Sequence, residues 1–236
     1  MEMVRHSVAP ARPSISGIVH PPGLPRPSCY PSLMKYSTVV AVVVVAGLAS
    51  TVAAQFVALD SSDAVTFFIA EADSGEAHPD AEFARWALDV WSRGTNGELK
   101  FVETETEREA VIRIYWVGPS SRKYGEMRAI KVDGKPGAEV FVNTSTEGLG
   151  ADIHRRAKRD QRFRDTVVFL TCVHETGHAV GLSHTDEFAD IMYSFQHGGD
   201  IEKYFRRYHK QVKNPIQMRE RSPLSDNDIA RLRALY

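Results

Sequence analysis

The sequence predicts one α/β (α+β) domain over residues 55–236, with four strand-like runs, a helix between the first two of them and a long helix late in the chain. Three observations carry that prediction. Short runs of β-branched and aromatic residues recur through the first half, as strands do. Between them Phe83, Trp86, Ala87, Val90 and Trp91 fall at the spacing of one helix face. Later, residues 166–180 offer Val167, Val168, Leu170 and Val173 for burial and set two histidines one helical turn apart. No internal repeat divides the domain.

Val65-Thr66-Phe67-Phe68-Ile69-Ala70 reads as the first strand. Pro79 opens a helix, since its fixed φ suits a first turn, and Gly94 stands near the end. Its aromatic stripe is core-forming. Leu99 to Phe101 and Val111 to Val117 are two further strands, and Glu139 to Asn143 a fourth. The long helix runs from Thr166 to Val180, with Asp165 or Thr166 as its cap. Gly181 stops it, because glycine tolerates the left-handed conformation that turns a chain sharply.

That helix leads into His174-Glu175-Thr176-Gly177-His178-Ala179-Val180-Gly181-Leu182-Ser183-His184. His174 and His178 face the same way and can grip one ion, and the turn at Gly181 returns His184 as a third ligand. Three protein ligands leave the fourth position of a tetrahedral zinc open, as in catalytic sites. Glu175, beside them, is placed to reach a water there. His78, His154, His197 and His209 lack this spacing and read as surface or core residues. Cys172, about 200° round the helix from His174, faces away from the ion and reads as a small buried side chain.

The stretch resembles the extended zinc motif of the metzincin metallopeptidases, and within them the matrixins. Asp190-Ile191-Met192-Tyr193 resembles the family's Met-turn, and Leu224-Ser225-Asp226-Asn227-Asp228-Ile229 with Leu232 and Leu235-Tyr236 resembles its closing helix. The resemblance implies a metzincin (zincin-like) fold, a twisted mixed sheet of about four to five strands with a long zinc-binding helix and a C-terminal helix. It also implies a secreted zinc endopeptidase holding one catalytic Zn2+ on His174, His178 and His184. It implies Glu175 as general base and Met192 as a hydrophobic floor rather than a ligand. It further implies Glu139 to Asn143 as the sheet edge above the cleft, pairing with an extended protein or peptide substrate, and Asp228 as a brace for the Met-turn. No structural calcium loop or second zinc site is evident. The alternatives are a non-catalytic or highly selective binding module on a metzincin scaffold, which the presence of Glu175 argues against, and a zinc hydrolase with a narrow substrate.

Departures from the matrixin pattern locate what is particular to this chain. Ser194 replaces a proline after Tyr193, and Asn227 replaces the first of two paired acids, removing a salt bridge to a freed N-terminus. About 30 residues, from Phe195 to Pro223, separate the Met-turn from the closing helix, long for an unstructured loop. Ile201 to Val212 is expected to form an extra helix there and to shape the specificity pocket.

Lysines and arginines number 29 against 30 acidic residues, a balance that does not suggest nucleic acid. Without residues 1–54, 25 basic groups face 29 acidic ones, a stronger argument in the same direction. The basic runs at 155–164 and 203–213 read as a solvated helix face and loop. Met34-Lys35, an apolar run from Thr38 and the small residues Val52-Ala53-Ala54 form the layout of a signal peptide over 34–54, cleaved before Gln55, and this is favoured over a membrane anchor. Residues 1–33, proline-rich, are a disordered or mis-assigned upstream extension, and Cys29 lies in it, on the far side of the signal. The mature protein is expected to act as a monomer with Cys172 its one cysteine.

Overall fold

The computed structural model describes residues 56–71, 79–121 and 123–236. The expected signal peptide, the upstream extension, Cys29 and His78 lie outside them. Five strands form one mixed sheet in the order β2-β1-β3-β5-β4: β1 Val65–Ile69, β2 Phe101–Glu103, β3 Ile112–Val117, β4 Gly125–Val132 and β5 Lys135–Asn143. β1 pairs in parallel with β2 and β3, and β3 with β5; β4 and β5 are antiparallel. The α/β class with a mixed five-stranded sheet is therefore as predicted, but its edge is not.

Glu139–Asn143 was expected at the edge above the cleft. It belongs instead to β5, which is internal, between β3 and β4, and the edge strand is β4. A two-residue turn makes the difference: Asp133 (φ 51°) and Gly134 (φ 80°) both hold positive φ, the pattern of a tight hairpin turn, and fold β5 back along β4. Inward residues alternate along the strands as a half-buried sheet requires, with Ile112, Ile114, Val140 and Val142 fully buried.

Helix α1 (Asp80–Gly94) buries Phe83, Ala87, Val90 and Trp91 in the core, while Trp86 is only partly covered. Helix α3 spans Gln161–Ala179, more than a turn longer than predicted, because Asp160 is the cap and accepts from Phe163 N–H at 3.1 Å. The two candidate caps do other work. Thr166 donates back to the Arg162 carbonyl at 2.8 Å, and Asp165 accepts from Gln161 at 2.8 Å. A further helix, α2 (Ala151–Arg159), precedes α3.

The basic runs are not simply solvated. Arg164 forms a buried ion pair with Asp80, joining α3 to the start of α1. Arg156 pairs with Glu202 at 3.1 Å, and Arg162 donates to the Val212 carbonyl at 2.7 Å. The insertion folds as expected into α4 (Ile201–His209), followed by the short α5 (Pro215–Glu220) and the closing α6 (Asp226–Arg233). No described helix is long and apolar enough to cross a membrane.

His209 at the end of α4 is buried edge-on to Phe163, its Nε2 3.2 Å from Asp160 but off line for a hydrogen bond. Burial, with Arg162 adding to it, holds its pKa below the usual histidine range despite Asp160. A neutral folded histidine means the unfolded chain binds more protons below about pH 6.5, so stability falls as pH drops through the depressed value. The metal-free His209→Gln protein is expected to lose less stability than the native one between pH 7.5 and 5, read by denaturant unfolding; equal slopes would exclude His209 as a contributor.

Candidate active site

Helix α3 carries His174 and His178 one turn apart, and the chain turns at Gly181, whose φ is +101°. The turn is anchored from α6, where Arg231 donates to both the carbonyl and the hydroxyl of Ser183 at 2.9 Å. It brings His184 back so that the three imidazoles meet, His178 buried, His174 partly covered and His184 exposed.

The protonation pattern follows from the partners. His174 Nδ1 lies 2.7 Å from the Ile191 carbonyl and His178 Nδ1 2.7 Å from the Leu182 carbonyl. A carbonyl only accepts, so each Nδ1 carries the hydrogen and each Nε2 presents a lone pair. Both lone pairs converge on His184 Nε2, at 3.2 and 3.1 Å. One proton there cannot satisfy two acceptors, whereas a tetrahedral zinc with bonds of about 2.0–2.1 Å sets its nitrogens about 3.3–3.4 Å apart. Burial pushes His174 down to about 4 and His178 down to about 3, which keeps both neutral, as ligands must be. The donor set fits the ion.

Glu175 is 7 % exposed. Burial pushes its carboxyl up to about 8, Glu126 adds to the rise and Lys123 opposes it. Its neighbour is Gly125, the first residue of β4: a Cβ there would fall on the Glu175 carboxylate. The edge strand thus begins with the one residue type that lets its backbone lie against the acid. Beneath the triad, Gly177 leaves room for Met192, since a Cβ would meet the Met192 sulfur and lie 2.7 Å from Trp91 Cζ2. Met192 is fully buried, and Trp91 donates to the Val173 carbonyl at 3.1 Å and the Thr176 hydroxyl at 3.0 Å. Asp228 accepts from Ile191 N–H at 2.8 Å and Met192 N–H at 3.4 Å, so the expected brace is present. Asn227, in place of an acid, donates to Asp190 at 2.6 Å.

A cavity of about 160 Å³ opens beside His174 and Glu175, bounded by Tyr124, Leu149, Leu170, Tyr193 and the α4 residues Tyr204 and Phe205. Ser194, where a proline was expected, also lines it and caps a turn at Phe195–His197 through Gln196 N–H at 3.3 Å. Sequence reasoning missed Gly125 and Tyr124, although a glycine ahead of a strand followed by Asp133-Gly134 was a usable hairpin signal. Cys172, as predicted, is buried, and burial raises its thiol well above the usual range.

The family profile of the matrixins (peptidase M10) matches residues 60–236, from the start of the sheet to the closing helix. The chain belongs to the matrixin family. Over 117 residues this matrixin is 31 % identical to the macrophage metalloelastase of Oryctolagus cuniculus, covering 48 % of this chain and 24 % of that protein. Over 89 residues it is 28 % identical to the interstitial collagenase of Aquarana catesbeiana, covering 37 % of this chain and 23 % of that one. The chain spans about a quarter of the length of these curated relatives.

Proposed function

We propose that this matrixin is a secreted zinc endopeptidase that binds one catalytic Zn2+ on His174, His178 and His184 and cleaves proteins or peptides bound in extended form. The observation that carries the reading is the convergence of two lone-pair nitrogens on a third within 3.2 Å, with a buried carboxylate next to them in sequence. Zinc bound there supplies Lewis-acid polarisation of a water and of the scissile carbonyl. Glu175 takes the proton as water attacks and passes it to the leaving nitrogen. Positive charge at the triad draws its raised pKa back down, so that the carboxylate is available as a base. The chain of the substrate lies along β4 by strand addition, and the cavity beside Glu175 receives an apolar side chain whose length α4 limits through Tyr204 and Phe205. Secretion rests on the signal-peptide pattern at 34–54.

The test uses protein expressed from the full chain, its N-terminus read by mass spectrometry. Zinc content near one ion per chain, digestion of unstructured casein, loss of digestion with a strong chelator and its return with zinc are the expected results. Stoichiometric zinc without cleavage of casein or a peptide library would transfer the site to the binding-module reading. Absence of zinc uptake would remove both.

A further inference from the structure

Phe56 lies flat on the imidazole of His178, ring centroids 4.4 Å apart and planes 13° from parallel. The proposed chemistry makes no use of it. The segment that carries it is held in place. Leu59 N–H donates to the Tyr236 hydroxyl at 3.0 Å, and that hydroxyl donates to the Val180 carbonyl at 2.9 Å, so both ends of the domain close on the end of α3. The backbone at Ala58 presses on Gly181, where a Cβ would lie 2.9 Å from Ala58 N. Against this segment a second cavity of about 170 Å³ opens, walled by Phe56, Met127, Ala129, Ala138, His178 and Ala179.

The position of that cavity gives it meaning. Gly125, Met127 and Ala129 lie two apart on β4 and share one face of the strand. Gly125 borders the first cavity, and Met127 and Ala129 border the second. On α3, His174 and Glu175 border the first, and His178 and Ala179 the second. The two cavities therefore lie along the same strand and the same helix, with the histidine triad between them. β4 runs from the first to the second, so a peptide pairing antiparallel with it runs the other way, and its residues ahead of the scissile bond pass over the second cavity. The lining there is mostly apolar: its polar members are Lys131, late on β4, and the imidazole, one face of which Phe56 already covers.

We propose that Phe56 is a specificity-determining residue: it completes an apolar subsite that takes an aliphatic or aromatic side chain on the N-terminal side of the scissile bond. This rests on the peptidase reading and adds a substrate preference to it. The feature belongs to the chain's own N-terminal segment, and processing before Gln55 would leave it in place.

The experiment pairs two peptide series with native and Phe56→Ala protein expressed from the full chain. Each series carries glycine, leucine or phenylalanine at the second or third residue before the scissile bond. Cleavage gives kcat/KM, and anisotropy with the Glu175→Ala background gives Kd without turnover. Native protein is expected to favour the apolar peptides about tenfold at one of those positions, the scale set by burying part of one apolar side chain. Phe56→Ala is expected to lose most of that preference in both readouts, read as the ratio of apolar to glycine peptide within each protein, with zinc content that of the native protein. An unchanged preference would overturn the proposal. A rise for every peptide would overturn it by making Phe56 an obstruction, and a fall for every peptide with loss of zinc would reduce Phe56 to a support for His178. Binding preference without any cleavage would retain the subsite and remove the peptidase reading, so the two failures are distinguishable.

Discussion

Glu175→Gln is expected to lower kcat by about 10²–10⁴-fold, the range that a positioned general base contributes, while zinc content stays that of the native protein. Glutamine keeps the size of the side chain and one acceptor oxygen but cannot take a proton. The position is sterically prepared for this shape, since the Gly125 backbone lies against the carboxylate with no room for a side chain of its own. The acid is also only 7 % exposed, which limits access of bulk solvent that could stand in for the missing base. The amide removes the buried ionisable group whose pKa burial raises, so the variant is expected to fold at least as well as the native protein. The check is kcat on a fluorogenic peptide alongside zinc analysis and thermal unfolding. Activity within tenfold of native, with zinc bound, would take the base role from Glu175.

Much of this site was legible because its chemistry depends on local spacing. The histidines lie within one helix and the turn after it, so positions 174, 178 and 184 stand out as a candidate ligand set before any tertiary contact is known. The Met-turn and its brace were legible only through resemblance, since nothing local requires Asp228 to find Ile191 across 37 residues. The edge strand was misplaced for a physical reason. No residue of β4 is fully buried, and Gly125-Glu126-Met127-Arg128-Ala129-Ile130-Lys131-Val132 lacks the clean alternation of a strand with one buried face. Asp133-Gly134 was the signal that would have recovered it. The start of α3 was hidden similarly: charges at 155–164 read as a solvated surface, whereas Ile153, Ala157 and Phe163 bury one side and Arg164 finds Asp80 far away in sequence. Long-range pairing of charges leaves no mark in a local pattern.

Asp228→Ala is expected to cost about 3–5 kcal/mol of stability and, separately, about 10–100-fold in zinc affinity. Asp228 is fully buried and accepts at once from Ile191 N–H at 2.8 Å, Ser225 N–H at 2.9 Å and, more weakly, Met192 N–H at 3.4 Å. Alanine leaves those donors buried and unpaired, at about 1–3 kcal/mol each for the well-formed pair, and opens half of the capping box at the start of α6. For a domain of this size the loss corresponds to a fall in Tm of very roughly 6–20 °C. The coupling to zinc runs through Ile191. Its N–H is held by Asp228, and its carbonyl accepts from His174 Nδ1 at 2.7 Å, fixing the ring so that Nε2 faces the other histidines. The Tyr204 hydroxyl donates to the same carbonyl at 2.9 Å, which ties the α4 insertion to the triad as well. Asp228→Asn retains a single carbonyl oxygen as acceptor and is expected to fall between native and alanine proteins in both measurements. Denaturant unfolding of the metal-free proteins separates the stability effect, and competition with a chromogenic chelator reads affinity. Zinc affinity unchanged in a destabilised Asp228→Ala protein would make the brace purely structural. A stability loss below about 1 kcal/mol would show that water replaces the carboxylate, against the burial of this site.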